Sequence, residues 1–387
     1  MKPLARKHLD EVQYARVLAL LGVFAVHSTS TGVVESNPES FTFIIYNFFN
    51  IAGKIGTPVF IFLSSFVLFY TYYPRQLTFS LFQRFYKKRL LYILVPYVVF
   101  SAFYFLFRAY LGQNFETFPA MVKRFLIDLS AGNAQYHLYF VFVSVQFYLM
   151  FPIILYLFKR FEFIRKYAIP LGIIIQWTWV VLNSLYIQVP SKGSVSLSYF
   201  MFYFFGAFLG VYYEQVVAWI RNWRKIWPAI AAIVLGYVFM IYLYVTIYYD
   251  IRTGQWTGHN KWVEFAWSTH AFFAAAVIFI FVHYLETWNF PRIKKFMIEI
   301  GAVSFGMYLI HPFFLTSLRL NAPLSGEPLI FHSWQLLTLI LTFFSSWLVV
   351  RLFYDFVPHS WIFFGNGNRV FNKPKKSKVK DKKEVNV

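Results

Sequence analysis

Runs of about twenty apolar residues recur from one end of this chain to the other, each long enough to cross the roughly 30 Å hydrocarbon core of a bilayer as a helix. A hydropathy window of about 19 residues places ten such spans, near residues 12–31, 46–73, 90–111, 137–158, 167–187, 197–216, 227–249, 264–285, 297–317 and 334–355. With 59% hydrophobic and 13% charged residues, against roughly 45–50% apolar in a soluble domain, no water-soluble fold could hide this much apolar side chain. The expected fold class is all-α: a polytopic membrane helix bundle of about ten transmembrane helices. It is read as one embedded domain over residues 1–371, followed by a basic, disordered cytoplasmic tail over 372–387.

The basic residues test this count independently. Lys2, Arg6 and Lys7, then Arg75, Arg84, Lys87, Lys88 and Arg89, then Lys159, Arg160, Arg165 and Lys166, then Arg221, Arg224 and Lys225, then Arg292, Lys294 and Lys295 fall in alternate connections, with the tail. The other connections hold only Lys123, Arg124, Lys192, Arg252, Lys261 and Arg319. By the positive-inside rule the richer side is cytoplasmic, so an even number of spans with both termini inside is expected. The net charge of +20 is thus a topology signal rather than a nucleic-acid stripe, and no nucleic-acid partner is expected. Lysines of the tail should be drawn to anionic lipid heads by about 1 kcal/mol each.

The first run is too long for the apolar core of a signal peptide and reads as an uncleaved span. With no Cys there is no thiolate metal site and no cysteine nucleophile. No P-loop, dinucleotide-binding turn, HExxH zinc motif or internal repeat is present, and no bound cofactor or metal is expected.

An ionisable side chain in hydrocarbon is costly unless partnered or facing water, so such residues are site candidates. Among them are Arg16, His27, Lys54, Arg108, Glu299 and His311, with His137 at the start of the fourth span. Acids are nearly absent, which disfavours a paired-carboxylate mechanism. Arg16 and His27 are eleven positions apart, within about 20° of three whole helical turns and separated by a rise of about 16 Å. They therefore share a helix face, although Arg16 could simply snorkel to the headgroups and His27 could bond a neighbouring helix. His311 precedes Pro312, which should kink its helix and free a carbonyl. The run Arg84, Lys87, Lys88 and Arg89 serves equally as a topological stop signal or as a phosphate dock, since arginine offers phosphate a two-pronged fork.

These motifs resemble the acyltransferase-3 family of membrane O-acyltransferases. The first span carries arginine, ten residues, then histidine. The second reads Thr57-Pro58-Val59-Phe60-Ile61-Phe62-Leu63-Ser64-Ser65-Phe66. The third opens with Lys87-Lys88-Arg89 and continues to Val95-Pro96-Tyr97. The fourth holds His137-Leu138-Tyr139 and Phe147-Tyr148-Leu149-Met150-Phe151-Pro152, and the ninth holds Ser304-Phe305-Gly306-Met307-Tyr308-Leu309-Ile310-His311-Pro312. The sequence departs from the family pattern at Gln13, Ser65, Tyr92 and Ser144.

The resemblance implies a bacterial plasma-membrane enzyme that moves an acyl group, such as acetyl or succinyl, from a cytoplasmic acyl-CoA to a hydroxyl of a cell-surface or lipid-linked saccharide. It is nearest to the stand-alone branch that modifies intercellular-adhesin polysaccharide. On that reading His27 is the general base and Arg16 orients the donor or stabilises developing charge. Arg89, Lys88 and Arg84 hold the CoA phosphates, and His311, Tyr148, Lys54 and His137 line the pocket. A multi-pass exporter of a saccharide or lipid-linked precursor is the alternative from another class, weakened by the missing repeat and the scarcity of intramembrane acids. A non-catalytic scaffold would leave the pairing of Arg16 with His27 unexplained.

Overall fold

A computed structural model describes residues 9–323 and 326–366. The tail expected from residue 372, and the boundary at 371, lie outside the described residues. The helices in chain order are α1 Glu11–Glu35, α2 Phe41–Ala52, α3 Gly56–Tyr72, α4 Phe79–Arg89, α5 Val95–Gly112, α6 Phe118–Ala131, α7 Tyr139–Arg160 and α8 Glu162–Lys166. They continue as α9 Ala168–Leu182, α10 Phe200–Val211, α11 Tyr213–Arg221, α12 Trp223–Arg252, α13 Asn260–Thr287, α14 Pro291–Leu320, α15 Pro328–Phe356 and α16 Trp361–Phe364. There is no strand among the described residues. The fold is an all-α polytopic bundle.

Among the described residues nine stretches are long and apolar enough to cross a membrane, and these match nine of the ten expected spans. The sixth, expected over 197–216, is different. It begins as a 3-10 turn at Ser196–Tyr199, continues as α10 and then breaks at Tyr212, where α11 leaves at 82°. Counting this bent pair as one span gives ten.

Two spans carry local breaks that the sequence explains. α4 and α5 form one stretch joined by a π-helical turn at Leu90–Leu94, where the Val95 N–H bonds the Leu90 carbonyl. Pro96 causes this, because it has no N–H to return to the Tyr92 carbonyl one α-turn earlier. α2 and α3 are parted at Gly53–Ile55, so the second span is a short segment followed by a long one.

The centre of the bundle is α10 against α3. Gly206 and Gly210 lie four residues apart, and a Cβ on either would collide with the α3 backbone, at Phe66 N for the first and Tyr70 N for the second. This small-xxx-small spacing lets two helices approach until side chains interlock. Ser65, on α3, donates its hydroxyl to the Tyr203 carbonyl of α10 at 2.6 Å, which satisfies a fully buried polar group. Glu299, flagged as a buried acid, pairs with Arg351 of α15 at 3.1 Å, and Arg108 lies 3.8 Å from Asp128. Both are thereby explained as helix-to-helix ties.

Candidate active site

Pro312 begins the construction of the site. Inside α14 it can give no N–H to the Tyr308 carbonyl four residues earlier, and that carbonyl is taken instead by His311 Nδ1 at 2.7 Å. α14 continues through Pro312 as one element. A carbonyl only accepts, so Nδ1 carries the proton and Nε2 presents a lone pair. Nε2 is buried without a partner. The same logic fixes His137, whose Nε2 donates to the Leu309 carbonyl at 3.2 Å and whose Nδ1 is left buried and unpartnered. Tyr104 donates to that same Leu309 carbonyl, and Tyr308 donates to the His137 carbonyl.

His27 joins them from α1. Its ring centroid lies 5.4 Å from that of His311 and 4.8 Å from that of Tyr136, while His137 and His311 are also 5.4 Å apart. Among the described residues no hydrogen bond reaches the His27 ring. It faces a cavity of about 270 Å³ lined also by Lys54, Thr57, His137, Tyr139, Trp267 and Tyr308. His311 stands behind His27 rather than on the cavity. No group of three His, Asp or Glu side chains among the described residues has the geometry to hold a metal ion.

Arg319 was counted in the sequence as a topological charge only. Its guanidinium donates to the His27 carbonyl at 2.5 Å and to Ser30 Oγ at 2.9 Å, so it holds the end of α1 that carries His27. In the loop ahead of α7, desolvation pushes the Tyr136 hydroxyl up to about 12 against the opposing pull of Arg319, and the hydroxyl is a donor at neutral pH with or without that shift. An arginine among the apolar last turns of a span was the signal for Arg319. Tyr139 and Tyr308 lie within the family-like motifs and Tyr136 just before one, but none of the three stands out by residue type among 28 tyrosines.

Arg16 faces a separate centre at the other end of α1. Its guanidinium donates to Gln13 at 3.2 Å and lies within electrostatic reach of Arg89 and Tyr148. Arg89 sits over the Tyr148 ring at 5.0 Å, and the Tyr148 hydroxyl shares a 3.2 Å hydrogen bond with Ser64 of α3. Neither Arg16 nor Arg89 has a carboxylate partner among the described residues. Tyr148 thus belongs with the arginines and not with the histidines. Arg84 and Lys88 lie on the exposed face of α4, about 140° and 100° round the helix from Arg89.

Lys54 borders the His27 cavity, with its ammonium 3.7 Å from the Tyr248 ring centre, a cation–π contact. Between the two ends, α3 and α7 are joined by hydroxyl pairs, Thr57 with Tyr139 at 3.1 Å and Ser64 with Tyr148.

The acyltransferase-3 family model, described as "Acyltransferase domain", matches residues 9–351. The chain belongs to the acyltransferase-3 family. This acyltransferase-3 protein is 23% identical to a probable poly-beta-1,6-N-acetyl-D-glucosamine export protein of Staphylococcus aureus strain MRSA252, over 89% of this chain and 94% of the relative. It is 24% identical to the putative membrane-bound acyltransferase YfiQ of Bacillus subtilis strain 168, over 81% and 84% respectively. No solved structure matches the chain.

Proposed function

We propose that this membrane protein transfers an acyl group from an acyl-CoA bound at Arg16 and Arg89 to a hydroxyl of a cell-envelope or lipid-linked saccharide at His27. The observation that carries the reading is that α1 presents Arg16, beside Arg89 of α4 and with no carboxylate partner among the described residues, and about 16 Å further along the same helix an unbonded imidazole facing a cavity. Phosphate or pyrophosphate suits the first centre, because arginine binds it through charge-assisted paired hydrogen bonds. A neutral imidazole suits the second, since its ordinary pKa near 6.5 lets it take a proton at neutral pH.

In the reaction His27 accepts the hydroxyl proton as the saccharide oxygen bonds the acyl carbon. The thioester C–S bond then breaks, and the CoA sulfur leaves with the proton returned from His27. Tyr136, held protonated beside His27, donates toward the oxyanion that forms in between. His311 and His137 keep the His27 ring in place. The arginine end, flanked by the basic clusters, faces the cytoplasm of a bacterial plasma membrane, and the histidine end faces outward.

A second reading, export of the saccharide itself, is favoured by the name of the staphylococcal relative, a probable export protein. Thioester consumption by purified protein separates the two. With acyl-CoA and a β-1,6-linked N-acetylglucosamine oligosaccharide, acyl transfer should release free CoA and a product heavier by the acyl group. Transport of the oligosaccharide into sealed vesicles without thioester loss would establish the exporter instead.

A further inference from the structure

A second cavity lies beside the His27 cavity, and the fold has no evident need of it. About 530 Å³ in volume, it lies between the loop ahead of α7 and the loop from Ser191 to Tyr199, with Arg108 at the end of α5. Tyr139 lines both cavities, and Tyr136 lines this one while its ring packs on His27. The volume falls within the ~300–1,000 Å³ usual for ligand pockets.

The Ser191–Tyr199 loop is tied in place by hydrogen bonds from α7, from α9 and within itself. Gln146 of α7 grips it from both sides, donating to the Ser194 carbonyl at 2.7 Å and accepting from the Ser196 N–H at 2.9 Å. Trp179 of α9 donates to Ser198 Oγ, which donates in turn to the Lys192 carbonyl, and Tyr199 closes on the Gly193 carbonyl at 3.0 Å. Such fixing of an irregular segment is what a preorganised binding wall requires. On the facing loop, Gly132 has φ +74°, and a Cβ there would press on the Tyr139 backbone, so the turn that aims Asn133 into the groove favours glycine.

The groove combines polar side chains with apolar tyrosine surface and is close to neutral. Arg108 is countered by Asp128 at 3.8 Å and donates to the Asn133 and Ala134 carbonyls, while Lys192 is paired with Glu264 at 2.6 Å. The cations are thus already answered by carboxylates, unlike Arg16 and Arg89. What faces the ligand is amide, hydroxyl and tyrosine ring, the groups that bond sugar hydroxyls and cover the apolar face of a pyranose.

We infer that this groove is the acceptor subsite and takes an uncharged pyranose unit next to the one whose hydroxyl reaches His27. The inference rests on the acyl-transfer reading for its role, but binding can be measured without any turnover. Calorimetry in detergent micelles would use a β-1,6-linked N-acetylglucosamine pentasaccharide and its fully de-N-acetylated, polycationic counterpart. The neutral oligomer should bind at least about tenfold more tightly than the cationic one. Asn133→Ala, which removes a donor and an acceptor, and Ser191→Trp, which fills the groove, should each weaken the neutral oligomer about tenfold or more. Both proteins should remain monodisperse with unchanged thermal stability. Unchanged affinity in both variants, no binding to the wild type, or a preference for the cationic oligomer would overturn the assignment. Groove-dependent binding in a wild-type protein that never consumes a thioester would instead sink the acyl-transfer reading and leave the groove standing.

Discussion

The two ends of α1 solve the problem of polar groups in an apolar surround in opposite ways. At the histidine end nearly every polar atom is answered by another: carbonyls freed or left over in α14 take protons from His311, His137 and Tyr104, and Arg319 is anchored on His27 and Ser30. Left without a partner are Nε of Arg319 and two imidazole lone pairs, Nε2 of His311 and Nδ1 of His137, beside an unbonded His27. At the arginine end Arg89 lies over the Tyr148 ring and Arg16 is within electrostatic reach of both, with no carboxylate partner for either cation among the described residues. Holding two like charges together is unfavourable until an anion joins them. One end is therefore prepared for a proton and the other for a charge, and a donor such as acyl-CoA, anionic at one end and reactive at the other, fits both.

The largest expected effect would test which end faces which compartment. The chain has no Cys, so single cysteines report cleanly. Glu39→Cys, beyond the histidine end, should be labelled by an impermeant maleimide in intact cells, and Ser80→Cys, in the first turn of α4, only after permeabilisation. Reversed labelling would invert the proposed direction of transfer while leaving the two-centre geometry intact.

Next in size is the histidine end itself. His27→Gln should lower acyl transfer by about 10²–10⁴, the usual cost of losing a general base, in protein that still inserts and binds acyl-CoA. Adding Arg16→Ala should cost little more, because residues that act on one transition state are not additive. An active His27→Gln protein would reduce His27 to a packing residue. Arg319→Leu should fall between, losing about tenfold in turnover with donor KM unchanged, since it removes two hydrogen bonds behind His27 and no contact with the donor. A shift in donor KM alone would place Arg319 in the wrong half of the comparison.

These expectations separate what the sequence made legible from what it did not. Spans were legible because bilayer thickness imposes a length, and the shared face of Arg16 and His27 because one continuous helix imposes a phase. The break at Tyr212 was not, because nothing in an apolar run such as Phe200–Val211 distinguishes a short, crossing helix from a full span. Nor was the grouping of site residues. Tyr148 and His137 share one motif region yet face different centres, for they stand eleven positions apart on a segment that only begins as helix at Tyr139. The carbonyl that fixes His311 was half visible: Pro312 announced that one would be freed, but not that the neighbouring imidazole would take it.

The smallest effects should lie within the basic run of α4, and they sharpen the comparison most economically. By sequence, Arg89, with Lys88 and Arg84, is the candidate to hold the donor phosphates. By structure only Arg89 turns inward, over Tyr148 and beside Arg16, while Arg84 and Lys88 are exposed. An exposed cation in water is screened within about 10 Å at ordinary salt, so its contribution to a phosphate several ångströms away is small and salt-dependent. Arg89→Ala should therefore raise the apparent KM for acyl-CoA by the equivalent of ~1.5–3 kcal/mol, the range for a lost charge-assisted hydrogen bond, with little change in turnover. Arg84→Ala and Lys88→Ala should each change it less than about twofold, and that change should vanish at high salt. Equal, salt-resistant losses at all three positions would mean that the phosphates lie along the surface of α4 and that Arg16 answers some other group. A loss of abundance at Arg89 with unaltered donor kinetics would return the whole run to a topological role, leaving Arg16 and Tyr148 without an anion to share.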